Sequence, residues 1–210
     1  MAKSGVVPLA QLSAGCARLW RGCCGTPLAA GVLLGLLFCS PLAGQEIALP
    51  EQQQLSLYAR VLPFDRHLVQ EAGDEIVIGV LYQSGFRESL RSMDAVMGAA
   101  ATLAMIAHVP TRFVAIDVTT VDAIADQLTA HGIHVLYIAP LRSFSMSSLT
   151  DLLEQRQIPS ITGVPAYVDQ GVALGIGERG GKPDILMNKD TADAIGMNFD
   201  ARFLRLVTFR

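Results

Sequence analysis

Short apolar runs rich in β-branched residues are the feature that most constrains the fold of this chain. Residues 75–82 form an almost unbroken run (EIVIGVLY), and residues 112–118, 133–139 and 159–163 are the further strand segments. A strand without polar alternation is buried on both faces, which is typical of a parallel sheet covered by helices. We therefore predict four strands of such a sheet over these ranges.

Helical segments alternate with these runs. An amphipathic helix is predicted over residues 51–62, where Leu55, Tyr58 and Leu62 recur at helical spacing before Pro63. A buried helix is predicted over residues 86–108, which are rich in alanine and methionine. Two further helices are predicted: one from an N-cap at Thr120 to a stop at Gly132, and one over residues 148–156, where Ser148 and Asp151 form a capping-box pattern.

The alternation of strands and helices ends after Gly171. Residues 172–176 and 183–188 flank a glycine-rich turn, which predicts an antiparallel hairpin. A short helix over residues 191–195 and a final segment over residues 201–209 follow it. The predicted fold class is α/β, with a single doubly wound, mostly parallel sheet that ends in a C-terminal antiparallel hairpin.

The first 44 residues have the order of a secretory signal peptide. Lys3, Arg18 and Arg21 precede an apolar run over residues 28–39, and Pro41 and small residues follow. The run is shorter than the roughly 20 residues that span a bilayer as a helix. We therefore expect residues 1–44 to be a signal peptide cleaved after position 43 or 44, and residues 45–210 to form one periplasmic α/β domain. An uncleaved anchor is the alternative.

Loss of this leader would change the composition of the mature protein. All four cysteines and the single tryptophan lie within residues 1–44, so the exported domain would contain no disulfide. Thirteen basic residues would remain against nineteen acidic ones, a net charge of −6. An acidic domain without basic clusters argues against nucleic acid as a partner, and we expect membrane contact only through the signal segment.

The chain has few motifs that carry chemistry. A G-x-G-x-x-G pattern spans Gly175 to Gly180, but Lys182 and Pro183 of a strand follow it where a dinucleotide site needs a helix, so we interpret the glycines as a hairpin turn. The chain has four histidines, His67, His108, His131 and His134; His131 and His134 have no acidic residue at ligand spacing, and we interpret all four as surface residues. We expect no metal site, no catalytic residues and no cofactor.

Two loops are the candidate binding sites. In a doubly wound sheet, ligands and partners meet the loops beyond the carboxyl ends of the parallel strands. The loop after the first strand contributes Ser84, Gly85 and Arg87, and the loop after the third contributes Arg142, Ser143 and Ser145. An ordinary role as strand–helix connections is the alternative for both loops.

The C-terminal third resembles the YfiR-like periplasmic proteins. The resemblance rests on residues 158–162, 171–176, 182–188 and 203–206, together with Ala192 and Gly196. It implies a compact periplasmic α/β domain, often dimeric, whose best-known member restrains a membrane-bound diguanylate cyclase. The chain departs from the family pattern in two ways. The mature chain lacks cysteine pairs, so redox sensing is not implied. Residues 62–65 (LPFD) replace the aromatic-proline segment after the first helix, which usually contains tryptophan.

These observations predict a non-enzymatic periplasmic regulatory protein that modulates a membrane-bound diguanylate cyclase or a similar sensor, such as a sensor kinase. A small periplasmic solute-binding module is the main alternative, and a hydrolase whose site is not visible in the sequence is a third. A homodimer is compatible with the resemblance.

Overall fold

The computed structural model describes residues 46–101, 103–118 and 120–210, so the predicted signal peptide lies outside the described residues. Within them, eight strands form one sheet in the order β2-β3-β1-β4-β5-β6-β7-β8. The strands are β1 Ile76–Tyr82, β2 Met105–Ile106, β3 Val109–Asp117, β4 Val135–Ile138, β5 Ser160–Thr162, β6 Leu174–Arg179, β7 Lys182–Met187 and β8 Val207–Phe209.

The sheet is mostly parallel, as predicted. Strands β3, β1, β4, β5 and β6 run parallel to one another, whereas β2 is antiparallel to β3, and β6 and β7 form the predicted antiparallel hairpin. Strand β8 pairs with β7 in parallel, an addition that the sequence did not reveal. Strand β3 lies on one side of β1 and β4 on the other, so the chain reverses its direction of winding at the junction of β1 and β4.

Six helices occur among the described residues. They are α1 Glu51–Val61, α2 Arg66–Glu71, α3 Arg87–Ala100, α4 Val121–His131, α5 Met146–Arg156 and α6 Lys189–Ala194. Short 3₁₀ turns lie at Leu62–Phe64, Pro165–Gln170 and Phe203–Arg205. No helix in these described ranges is both long and apolar enough to cross a membrane.

Successive residues of the central strands supply two separate apolar cores, because side chains alternate between the faces of a sheet. In β1, Ile76, Ile78 and Val80 pack on the face covered by α1 and α3, whereas Val77 and Leu81 pack on the face covered by α4 and α5. The unbroken apolar run that predicted a strand buried on both faces is confirmed.

Buried hydrogen bonds fix α1 to the sheet. The Tyr58 hydroxyl donates to the carbonyl of Thr162 at 2.7 Å, and the Tyr137 hydroxyl donates to the side-chain oxygen of Gln54 at 2.9 Å. Burial raises the pKa of Tyr137 above its ordinary value, so this phenol remains a neutral donor. Helix α1 is thus part of the folded domain rather than a loose extension.

The helix predicted over residues 86–108 is wrong at its C-terminal end. Helix α3 stops at Ala100, and Met105–Ile106 turns back as β2 against the start of β3. Ala107 and His108 both have positive φ angles, 50° and 69°, which is the geometry of a two-residue type I′ hairpin turn. Neither residue is the Asn or Gly that is typical of such a turn, so the sequence did not predict it.

Two local interpretations also need correction. Helix α5 begins at Met146, and Ser145 rather than Ser148 caps it by accepting the backbone N–H of Ser148 at 3.3 Å. In the G-x-G-x-x-G segment only the last glycine lies in the turn; Gly175 and Gly177 belong to β6. A Cβ at Gly175 would collide with the side chain of Val168, so close packing explains that glycine.

Candidate functional site

The two predicted loops meet at the carboxyl edge of the sheet, where β1 and β4 end. The backbone N–H of Arg142 donates to the side-chain oxygen of Gln83 at 2.9 Å, which joins the loop after β4 to the loop after β1. This contact lies at the point where the winding reverses, the usual place for a binding site in a doubly wound sheet.

The loop after β1 is anchored on its other side as well. The backbone N–H of Ser84 donates to the Asp117 carboxylate at the end of β3, at 3.0 Å. The backbone N–H of Gln83 donates to the hydroxyl of Ser89 in α3 at 2.9 Å, and that serine is buried. Bonds from β3, α3 and the loop after β4 therefore hold this short segment in one conformation.

A buried tyrosine holds the loop after β4. The Tyr167 hydroxyl accepts the backbone N–H of Leu141 at 2.7 Å and donates to the carbonyl of the same residue at 3.2 Å. Burial raises the pKa of Tyr167, which keeps the hydroxyl protonated and able to donate. Beyond Leu141 the chain turns through Ser143, whose φ of 54° is left-handed, and reaches the N-cap Ser145.

The six predicted site residues share one property, which is exposure to solvent; they are Ser84, Gly85, Arg87, Arg142, Ser143 and Ser145. Five of them lie in the two joined loops, and Arg87 is the first residue of α3. The guanidinium groups of Arg87 and Arg142 make no ion pair within the described residues. The carboxyl edge is therefore a firm, polar surface that presents free positive charge.

A second site, which sequence reasoning missed, lies at the opposite edge of the sheet. We call it the amino-edge cavity; it has a volume of about 200 Å³ and is lined by His67, Leu68, Glu71, Ile133, His134, Arg156, Gln157, Ile158 and Pro159. These residues come from α2, the start of β4 and the end of α5. The histidines His67 and His134 are the signal that the sequence offers for this site, and from the sequence we interpret both as surface residues.

One wall of the amino-edge cavity is a histidine whose tautomer is fixed. The Nδ1 atom of His134 accepts the backbone N–H of Val77 at 3.0 Å, so in the neutral ring the proton resides on Nε2. Burial lowers the pKa of His134 from 6.5, with smaller effects in both directions from neighbouring charges. The ring is therefore a neutral N–H donor at neutral pH.

The other polar walls carry charges of both signs. The Arg156 guanidinium donates to the hydroxyl of Thr129 at 2.7 Å, which fixes it between α5 and α4. His67 and Glu71 face each other one turn apart on α2, with 3.9 Å between Nε2 and Oε1. Within the described ranges, no group of three histidine, cysteine or acidic side chains is arranged to hold a metal ion.

Comparison with solved structures shows the fold. The ABC domain in complex with L-Trp from Streptococcus pneumoniae is 15% identical with a TM-score of 0.53, and the match covers 76% of this chain and 61% of that one. A conserved domain protein from Vibrio cholerae is 16% identical with a TM-score of 0.51, covering 76% and 60%. The chain thus spans about three-fifths of the length of these structures.

Comparison with curated proteins gives no match. The model of the family described as YfiR/HmsC-like, however, matches residues 65–208, which include nearly all of the sheet, the joined loops and the amino-edge cavity. The match begins after α1 and ends one residue before the end of β8. The chain belongs to the YfiR/HmsC-like family, a family of periplasmic regulatory proteins.

Proposed function

We propose that this protein is a non-enzymatic periplasmic regulator that binds the periplasmic part of an inner-membrane signalling protein, a diguanylate cyclase or a similar sensor. Membership of the YfiR/HmsC-like family supports the regulatory role and the compartment. The contact surface is the carboxyl edge of the sheet, formed by the joined loops and the first turn of α3.

The observation that carries this proposal is the bond between the backbone of Arg142 and the side chain of Gln83. It makes two loops into one surface whose shape is set before any partner arrives. Such preorganisation lowers the entropic cost of association, because less of the interface must be ordered on binding. Surfaces built in this way suit recognition of a macromolecule.

The charge of this surface indicates the chemistry of the partner. Arg87 and Arg142 are exposed and free of ion pairs within the described residues, although the domain as a whole is acidic. Arginine binds carboxylates through two parallel hydrogen bonds and is enriched in protein interfaces. The partner surface is therefore expected to present acidic side chains.

Co-purification from detergent-solubilised inner membranes tests the proposal. The tagged full-length protein is expected to retain one inner-membrane protein with a diguanylate cyclase or sensor-kinase domain. The double variant Arg87→Glu/Arg142→Glu should weaken this binding by about tenfold or more, since it replaces attraction by like-charge repulsion. The matched double variant Arg60→Glu/Arg210→Glu, which reverses two exposed charges elsewhere, should bind normally.

Two outcomes would contradict the proposal. One is retention of the same partner by the Arg87→Glu/Arg142→Glu protein at undiminished affinity. The other is the absence of any inner-membrane signalling protein from the material that the wild-type protein retains.

A further inference from the structure

The amino-edge cavity has no part in the proposed partner contact. Its walls belong to α2, β4 and α5 at the amino ends of the parallel strands, whereas the joined loops lie at their carboxyl ends. At about 200 Å³ it is smaller than the roughly 300–1,000 Å³ of pockets that hold drug-sized ligands. Its size therefore suits a solute of a few heavy atoms.

The fixed tautomer of His134 decides which chemistry this cavity can accept. A neutral histidine binds a metal through an unprotonated ring nitrogen, and here the unprotonated nitrogen is already used by Val77 N–H. The remaining nitrogen, Nε2, carries a proton and can only donate. The cavity therefore offers a hydrogen-bond donor at His134 and is unsuited to a metal ion at that position.

Arg156 supplies a second donor group with a permanent positive charge. Only one nitrogen of its guanidinium is bonded to Thr129, so further N–H groups remain for a ligand. Gln157, the next residue along the wall, adopts a left-handed conformation with φ of 53°. A glycine would adopt that conformation without strain, but it would not place an amide side chain on the cavity wall.

From these donors we propose that the amino-edge cavity binds a small solute through a carboxylate group, which accepts hydrogen bonds from Nε2 of His134 and the guanidinium of Arg156. Glu71 lies on the α2 wall and disfavours a second negative charge nearby. A monocarboxylate, with or without a positively charged group facing Glu71, matches this distribution. This site does not depend on the partner proposed above.

An NMR titration of the full folded domain with three small probes tests the inference. Acetate and glycine both carry the carboxylate, and glycine adds an ammonium group, while methylammonium has the positive group alone. We expect acetate and glycine to give saturable shifts of the backbone amides of residues 133–134 and 156–158, and methylammonium to give none. Tighter binding of glycine than of acetate, abolished by Glu71→Gln, would extend the site to zwitterions.

Variants of the two donors make the test specific. His134→Asn keeps an oxygen where Nδ1 accepts the Val77 N–H but removes the Nε2 donor, and Arg156→Gln removes the charge. Each is expected to weaken acetate binding about tenfold, since a hydrogen bond to a charged group is lost. The control His131→Asn changes an exposed histidine outside the cavity and should leave the affinity unchanged.

The inference is overturned if neither carboxylate probe gives saturable shifts, or if methylammonium shifts the same amides equally. It is also overturned if both donor variants bind acetate as the wild-type protein does. Partner binding, measured by co-purification, should persist in His134→Asn and Arg156→Gln, so failure of one proposal is distinguishable from failure of the other.

Discussion

The two edges of one sheet differ in how their polar groups are used. At the carboxyl edge, backbone groups of Ser84, Leu141 and Arg142 form hydrogen bonds that fix the loops, and the side chains of Ser84 and Arg142 are exposed to solvent. At the amino edge, His134 and Arg156 are fixed by single bonds and retain donors beside a cavity.

This difference indicates which kind of partner, a protein or a small solute, each edge can recognise. A firm, exposed surface can be matched by another protein. A small recess lined by hydrogen-bond donors can hold a solute but offers little area to a protein. The same doubly wound sheet thus supports two kinds of recognition, one at each end of its strands.

The largest expected effect comes from loosening the carboxyl edge. Tyr167→Phe removes the hydroxyl that binds both backbone groups of Leu141, and we expect the free energy of unfolding to fall by about 1–2 kcal/mol. Urea denaturation measures this loss, and hydrogen exchange should accelerate in residues 141–145 but not at the amino-edge cavity. The control Tyr82→Phe removes a hydroxyl without a described partner and should be nearly neutral. Equal losses in both variants would contradict this role of Tyr167.

A somewhat smaller effect is expected at the start of α5. Ser145→Ala removes the N-cap and should cost about 1 kcal/mol, whereas Ser148→Ala, which changes the residue that the sequence suggested, should cost less. Thermal and urea unfolding of the two variants measure the difference. A larger loss of stability in Ser148→Ala than in Ser145→Ala would instead support the capping box at Ser148.

The joined loops and the amino-edge cavity each contain a non-glycine residue in the left-handed conformation, Ser143 in the loops and Gln157 in the cavity wall. Replacement of either by glycine should raise the free energy of unfolding by about 0.5–1 kcal/mol, because backbone strain is relieved. Acetate titration should then separate the edges, with weaker binding in Gln157→Gly and unchanged binding in Ser143→Gly. Identical acetate affinities would remove Gln157 from the solute site.

The smallest expected effect is a pH dependence of stability that arises from His134 at the amino edge. Burial lowers the pKa of His134 below 6.5, so the unfolded chain binds a proton more readily than the folded domain. The contribution of this residue to the free energy of unfolding is fully present above pH 6.5. It is lost as the pH falls toward the pKa of His134 in the folded state. Glu71 and Glu75 oppose this shift, and Arg112 adds to it.

Unfolding free energies measured from pH 7.5 to pH 5 test this dependence. His134→Asn retains an acceptor for Val77 but cannot titrate, so its stability should fall less over that range than that of the wild-type protein. His131→Asn should leave the wild-type slope unchanged. A slope that His134→Asn does not reduce would contradict the assignment.

The sequence predicted the parallel core and the two candidate loops because both follow from local signals, whereas the bond that joins the loops is visible only in the fold. Uninterrupted apolar runs mark strands buried on both faces, and parallel strands bring their carboxyl ends to one edge. The amino-edge cavity was missed because its residues, from His67 to Pro159, are far apart in the chain and converge only in the fold. The β2–β3 turn was missed because Ala107 and His108 adopt positive φ angles without a glycine.

Site-specific photo-crosslinking in the periplasm tests the central claim most directly. A photoreactive phenylalanine analogue is placed at Ser84 or Arg142 of the carboxyl edge, and at His131 near the amino edge as the matched control. We predict that positions 84 and 142 crosslink to an inner-membrane protein with a diguanylate cyclase or sensor-kinase domain, and that position 131 does not. Crosslinking of that protein at position 131 alone, or at none of the three positions, would contradict the account.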